Sequence, residues 1–128
     1  MQHLKKYFQP LSGDFYLNKS RWETTQIGAQ AEIHTEDFFP ELKFSEIAVF
    51  NFPEYIGSKN LPSDSVCKIR PIFYSFHFKK SPRISDLGSM LLMSSRKESF
   101  KNLQNVCEEL INNGIIPLII GGGHDLSY

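Results

Sequence analysis

The sequence predicts an α/β fold in which a parallel sheet lies between helices in a three-layer α/β/α arrangement. Two compact apolar runs, residues 47–52 and 115–120, have the composition of buried strands, because parallel strands are covered on both faces and are apolar throughout. Between these runs, residues 97–113 place apolar side chains at helical spacing. Strands that alternate with helices favour parallel β-α-β units.

Residues 1–45 form the first of two predicted segments. They are polar and irregular in pattern, with scattered aromatic residues such as Trp22 and Phe39. This pattern predicts short helical turns and loops that lie against a larger body. Residues 46–128 are predicted to form the α/β part of the chain.

The α/β part begins with the strand at residues 47–52, which ends at Pro53. A loop rich in turn-forming residues follows at 53–64. Ser63 to Ser65 then offer a helix N-cap, and the helix that follows contains Pro71, which should kink or split it. Residues 83–88 are a short candidate for the second strand.

The clearest helix covers residues 97–113, because Phe100, Leu103 and Leu110 share one face while Lys101 and Glu108 lie on the other. Asn-Asn-Gly at 112–114 predicts its C-terminal end. The apolar run at 115–120 is then the last strand.

A Gly-Gly-Gly-His-Asp segment, residues 121–125, follows that last strand directly. Ligands of open α/β sheets bind at the carboxyl ends of strands, and a neutral imidazole at His124 would suit Mn, Fe, Ni or Zn. Asp125 could ligate the same metal or fix the histidine tautomer. Two alternatives stay open: a glycine turn with an ordinary surface histidine, and a phosphate cradle, although the segment matches neither common phosphate-binding motif.

Two other groups of residues carry weaker signals. Glu32, His34 and Glu36 share one side of an extended segment and form a conceivable metal site, with a solvated polar loop as the alternative. Asp86 ends the candidate strand, where it could orient a ligand or form an Asp-x-Gly turn. Cys67 and Cys107 have no evident histidine partner and are not expected to act as nucleophiles.

The composition excludes several classes of protein. Lys and Arg total 14 and balance 14 Asp and Glu, so the formal net charge is zero, which argues against a nucleic-acid partner. No apolar run approaches the length of a membrane span. Two cysteines make neither a disulfide framework nor a zinc motif. These observations predict a soluble, cytoplasmic protein with no nucleic-acid or membrane partner.

Taken together, these residues resemble the N-terminal part of the ureohydrolase family, which comprises arginase, agmatinase and formimidoylglutamase. The chief match is the apolar strand at 118–120 followed by Gly-Gly-x-His, residues 121–124. Supporting matches are the strand at 47–52, the helix that carries Arg70, and the strand that carries Asp86. The resemblance covers residue 46 to the end and implies the N-terminal portion of an arginase-like fold.

The resemblance also implies a function. Ureohydrolases use a pair of Mn²⁺ ions to hydrolyse guanidino or formimino C–N bonds of small linear amidines, and family members form homo-oligomers. His124 would ligate one metal of the pair. The other ligands come from Asp-x-His-x-Asp and Asp-x-Asp segments, which this sequence lacks, so the chain is expected to be a truncated, inactive fragment. The alternative is a small non-catalytic α/β binding or interaction module that is complete at residue 128.

Overall fold

The computed structural model of the chain describes residues 1–11, 19–53 and 63–121, and it confirms the predicted α/β class. Within these ranges the sheet has five strands: β1 (Phe8–Gln9), β2 (Glu32–Ile33), β3 (Ile47–Asn51), β4 (Ile84–Met90) and β5 (Ile116–Ile120). The described α-helices are α1 (Ile27–Gln30), α2 (Ser63–Tyr74) and α3 (Arg96–Asn112). Short 3₁₀ helices cover Gln2–Tyr7, Lys19–Arg21 and Leu42–Phe44.

The sheet is mostly parallel and is centred on β3 and β4. β3 pairs in parallel with β4 on one side and with β5 on the other. The other edge of β4 is shared by two short strands, because β2 pairs in parallel with its first half and β1 pairs antiparallel with its last residues. The sequence predicted a parallel sheet. The observed sheet is not purely parallel, because β1 runs antiparallel to β4.

The first 45 residues contribute to this sheet. The predicted short helical turns are present as the 3₁₀ helices and α1. β1 and β2, which add to the edge of β4, were not predicted from the sequence. Each of these strands is two residues long, which is too short to show an alternation of apolar and polar residues.

Helices cover both faces of the sheet. On one face, α3 packs Leu103, Val106 and Leu110 against Ala48 and Phe50 of β3. On the other face, α1 and α2 form a second buried cluster with β2, β3, β4 and β5, whose members are Ile27, Ala31, Ile33, Val49, Tyr74, Ile84 and Ile120. Alternate residues of β3 thus enter different cores, which explains why the whole strand is apolar.

Both ends of α3 are fixed by local hydrogen bonds. At the start, the Ser95 hydroxyl accepts a hydrogen bond from the Glu98 backbone N–H at 3.1 Å. At the end, Gly114 takes a φ of 76°, and its N–H donates to the carbonyl of Ile111. The N–H of Ile115 donates to the carbonyl of Leu110 at 2.9 Å, which completes a Schellman motif. The predicted end of the helix at 112–114 is confirmed.

Replacement of Ser95 by alanine should lower the free energy of unfolding by about 1 kcal/mol, because the Glu98 N–H loses its acceptor at the start of α3. Urea unfolding measures the loss. Ser94→Ala is the matched control, since Ser94 is an exposed neighbour outside the helix, and it should change stability by less than about 0.5 kcal/mol. Equal losses in the two variants would show that the Ser95 cap contributes nothing.

Pro71 does not divide α2. The sequence predicted a kink or a division into two pieces, and the structure has a single helix, Ser63–Tyr74, that includes this proline, so the division into two pieces is wrong. Pro71 stands only three residues before the end of the helix, so the N–H that it lacks removes one bond from the last turns. Its carbonyl still accepts a hydrogen bond from the Ser75 N–H at 3.2 Å.

Within the described residues, no helix combines the length and the apolar content that crossing a lipid bilayer requires.

Candidate functional site

The candidate site lies at the edge of the sheet where β3, β4 and β5 end. Asn51, the last residue of β3, stands opposite Ser89 of β4 and Ile120 of β5. The Asn51 side-chain amide donates a hydrogen bond to the Ser89 hydroxyl at 3.0 Å. Gly121 follows Ile120 with a φ of 79° and begins the glycine-rich segment. The chain therefore enters that segment beside the polar end of β3.

The predicted metal ligand His124 lies outside the described residues, together with Asp125 and the glycines at 122 and 123. The structure thus describes the strand that leads into the motif and the first of its glycines. Beside the end of β5, described residues of α2, β3 and β4 form a buried polar cluster.

A buried ion pair between Arg70 of α2 and Asp86 of β4 is the centre of this cluster. The Arg70 Nε and Nη2 atoms each donate to a different carboxylate oxygen of Asp86, both at 2.8 Å. The side chains are 4% and 0% exposed. This bidentate geometry satisfies both planar groups at once, and it is the strongest arrangement that arginine and a carboxylate can make.

Further hydrogen bonds tie the pair to both strands. The Tyr74 hydroxyl and the Gly88 N–H also donate to the Asp86 carboxylate. Arg70 in turn donates to the Asn51 side-chain oxygen and the Gly88 carbonyl, each at 3.3 Å. The Arg70 side chain of α2 therefore links the end of β3 to the end of β4, next to the point where β5 ends.

A β-bulge in β4 places these groups on one side of the sheet. Val49 pairs with Asp86 and Phe50 pairs with Gly88, so Leu87 is an extra residue without a partner on β3. Because of this insertion, Asp86 and Ser89 both face α2, although three positions separate them, while Leu87 packs into the core beneath α3.

Asp86 therefore stabilises the fold from inside β4 and is not positioned to orient a ligand. The prediction had placed it at the end of a strand, where a ligand role or an Asp-x-Gly turn was open. Its carboxylate accepts the Gly88 N–H at 3.0 Å, which is the local bond expected of Asp-x-Gly. Its other bonds go to buried groups of α2.

Glu32, His34 and Glu36 are not brought together. His34 is 1% exposed, donates from Nδ1 to the Leu87 carbonyl at 2.8 Å, and packs edge-on against Phe39. Glu32 and Glu36 are exposed. In the part of the chain that the structure describes, no three His, Cys, Asp or Glu side chains are placed to hold a metal ion. A solvated loop, the alternative from the sequence, is also only partly right, because His34 is a core residue.

Burial changes the pKa of two other groups. The thiol of Cys107 is half-buried, and burial raises its pKa, as it does for cysteines in apolar surroundings. The side chain of Cys67 lies outside the described residues. Burial lowers the pKa of Lys19, although the nearby Glu32 carboxylate acts in the opposite direction. The Lys19 ammonium donates to the Ala31 carbonyl.

Sequence reasoning missed the Arg70–Asp86 pair and its partners Tyr74 and Asn51. One signal was available: Arg70 and Tyr74 stand four residues apart on the apolar stripe of a helix, so they share a face. A buried arginine requires an anion beside it. Asp86 is the one carboxylate within β4, the strand that follows α2, so it was one candidate for that anion.

Comparison with known proteins gives one weak relative. No protein-family model matches the chain, and no solved structure matches it. A 58-residue stretch, 43% of the chain, is 31% identical to an uncharacterized 32.2 kDa protein of Methanothermus fervidus that is described by its place in the 3′ region of hmfB. The chain covers only 20% of the length of that relative. The name of that relative assigns no activity, so the comparisons do not assign this chain to a family.

Proposed function

We propose that the chain is the N-terminal portion of a manganese-dependent hydrolase of linear amidines, of the arginase, agmatinase or formimidoylglutamase type. In this proposal the complete protein hydrolyses a guanidino or formimino C–N bond of a small molecule in the cytoplasm, as a homo-oligomer with an arginase-like fold. His124 ligates one metal ion, and the glycines at 121–123 shape the crevice around it. The 128-residue chain is inactive by itself.

The observation that supports the proposal is the position of β5. It runs parallel to β3, and the two strands end together at Asn51 and Ile120. The glycine-rich segment therefore starts at the carboxyl edge of an α/β sheet, which is the edge where such sheets bind their ligands. The buried Arg70–Asp86 pair stabilises the sheet at that edge, because it fixes α2 to β4.

The described residues do not supply a manganese site, since they contain no cluster of three or more His, Cys, Asp or Glu side chains suited to a metal. Mn²⁺ prefers several oxygen and imidazole ligands. The proposal therefore assigns metal binding to His124 and to residues of the complete protein that resemble the missing aspartate-rich segments. The described part of the chain provides the sheet edge and its buried polar support.

The test is hydrolysis by the complete protein that contains this chain, loaded with Mn²⁺ and supplied in turn with arginine, agmatine and formimidoylglutamate. Release of urea or formamide is expected. His124→Ala should lower both the bound manganese and the rate, by at least the roughly 10–100-fold that loss of an outer-shell partner costs at a metal site. His77→Ala is the control, because His77 is exposed and bonds to the Thr25 hydroxyl.

No hydrolysis of any of the three amidines would contradict the proposal, as would a His124→Ala variant with full manganese content and rate. The first result would favour a small non-catalytic α/β binding or interaction module, and the second would show that His124 is not a metal ligand. Hydrolysis by the 128-residue chain alone would contradict the expectation that the fragment is inactive.

A further inference from the structure

α2 has a second apolar side, which faces away from the sheet. Arg70 and Tyr74 point toward the sheet and are buried. Ile69, Ile72 and Phe76 follow one another at spacings of three and four residues, which places them on one side of the helix and its last turn. They are 44%, 59% and 51% exposed. Large apolar side chains that cluster on a surface usually mark a contact with another body.

The segment after α2 continues this apolar side. Both neighbours of His77 form backbone hydrogen bonds with residues 25–27, so the chain is extended there. In an extended segment the side chains of Phe76 and Phe78 share one side, and that of His77 lies on the other. The Glu23 carboxylate, 3.9 Å from the His77 ring, therefore lies away from the phenylalanines. Phe78 is 39% exposed. The α2 surface is made of Ile69, Ile72, Phe76 and Phe78.

The stretch of chain that carries the α2 surface is positively charged. Residues 65–83 contain five Lys and Arg residues and no Asp or Glu. The charge of Arg70 is neutralised by Asp86, but Lys79 and Lys80 follow Phe78 directly and are exposed. Because the formal net charge of the chain is zero, this positive charge is a local excess. The α2 surface therefore fits a partner that is both apolar and negatively charged.

We propose that the α2 surface lies on an anionic lipid bilayer, with its apolar side chains among the acyl chains and Lys79 and Lys80 at the phospholipid headgroups. Phenylalanine and aliphatic residues next to lysines are typical of helices that lie in the membrane interface. Each lysine near an anionic bilayer strengthens binding about fivefold, and burial of the apolar side chains adds to this.

A bilayer fits the α2 surface better than an acidic protein does. A protein partner would need a separate pocket for each protruding side chain, together with carboxylates placed at the lysines, whereas fluid lipid adapts to side chains of any shape. The expectation of no membrane partner rests on the absence of a spanning run, which a contact with the bilayer surface does not require. The proposal goes beyond the proposed hydrolase function and does not depend on it.

Co-sedimentation of the complete protein with lipid vesicles tests the proposal. Vesicles of an equal mixture of phosphatidylcholine and phosphatidylserine should bind it at least about tenfold more tightly than vesicles of phosphatidylcholine alone. Lys79→Gln combined with Lys80→Gln should weaken binding to the mixed vesicles at least about tenfold, because two attractions to the headgroups are lost. Ile72→Gln combined with Phe76→Gln should weaken it about tenfold, because less apolar surface is buried.

The matched control variants lie on α3, at the other face of the sheet. Lys97→Gln combined with Lys101→Gln removes two exposed lysines. Ile111→Gln removes an apolar side chain that is 61% exposed, like Ile72. Both controls should leave vesicle binding unchanged. Urea unfolding of each variant shows whether it is folded, and substitutions of exposed side chains usually change stability little.

Insertion into the bilayer is measured separately, with Phe78→Trp and mixed vesicles whose acyl chains carry bromine. The bromine should quench the fluorescence of Phe78→Trp. It should not quench that of Phe44→Trp, because Phe44 is 57% exposed but lies outside the α2 surface. Trp22 contributes the same background to both variants.

Three results would each overturn the proposal: equal binding to the two kinds of vesicle, full binding by the lysine variant, and no quenching of Phe78→Trp. A complete protein that binds no vesicles would also overturn it, and would indicate that an acidic protein or further chain of the complete protein covers the α2 surface. Vesicle binding is measured without an amidine, so its failure is distinguishable from a failure of the proposed hydrolysis.

Discussion

Replacement of Asp86 by alanine is expected to lower the free energy of unfolding by about 3–5 kcal/mol, since it removes one member of a buried ion pair and leaves the Arg70 charge in the core. Arg70 has a side chain that is only 4% exposed, and it directs two of its donors at the Asp86 carboxylate. The Tyr74 hydroxyl and the Gly88 N–H lose their acceptor in the same substitution. A loss of this size is a large part of the roughly 5–15 kcal/mol that stabilises a typical domain.

Urea unfolding, followed by the fluorescence of the single tryptophan, would measure this loss. Trp22 reports on the site, because its ring lies 5.9 Å from that of Tyr74, centroid to centroid. The double variant Arg70→Met with Asp86→Leu should lose less than Asp86→Ala, because no charge is then left unpaired. Asp37→Ala removes an exposed carboxylate and should change stability by less than about 0.5 kcal/mol. A loss below about 1 kcal/mol for Asp86→Ala would show that Arg70 reaches water without its partner.

The longest elements could be predicted from the sequence, because each one carries a complete periodic or apolar signal. α3 shows an apolar stripe over 17 residues and a glycine two positions after its last residue. β3 and β5 are continuous apolar runs, as expected of strands covered on both faces. The helix and strand boundaries differ from the predicted ones by one or two residues, which is the usual variation at frayed ends.

The missed features depend on contacts between distant parts of the chain. β1 and β2 exist because the edge of β4 offers them backbone hydrogen bonds, and two-residue strands carry no pattern of their own. The bulge at Leu87 could not be predicted from the sequence either. It interrupts the alternation of side chains between the two faces along β4, so the pattern of a buried strand is lost. Sequence reasoning therefore predicted only the first part of β4, up to Gly88.

The candidate site, like the fold, could be predicted from the sequence only in part. The position of the glycine-rich segment at the end of β5 could be predicted, because a buried strand and its direction follow from local sequence. The pairing of Arg70 with Asp86 could not be predicted from spacing, since the two residues meet only after α2 has packed on the sheet. This pair is what connects the ends of β3 and β4 beneath the edge that the proposed function uses.

Replacement of Gly88 by alanine should also be severely destabilising, by about 3 kcal/mol or more, for two separate reasons. Gly88 has a φ of 93°, a backbone conformation that side-chain-bearing residues adopt at a cost of roughly 1–3 kcal/mol. A Cβ atom at this position would also lie 2.2 Å from the carbonyl oxygen of Gln9. Because that oxygen belongs to the backbone of β1, the strand would have to move away from β4 to remove the clash. The bulge that places the Asp86 and Ser89 side chains on the same face of the sheet would be strained as well.

Gly114→Ala separates the cost of the backbone conformation from the cost of the Cβ clash. Gly114 has a φ of 76°, but a Cβ atom there meets no other atom within 4 Å, so its substitution carries the backbone strain alone, about 1–2 kcal/mol. In urea unfolding, the free energy of unfolding of Gly88→Ala should therefore be clearly lower than that of Gly114→Ala. Hydrogen exchange at the Leu91 N–H, which donates to the Tyr7 carbonyl at 2.8 Å, should accelerate in Gly88→Ala and stay unchanged in Gly114→Ala. Equal losses in the two variants, with the Leu91 amide still protected, would mean that β1 accommodates the methyl group without leaving the sheet.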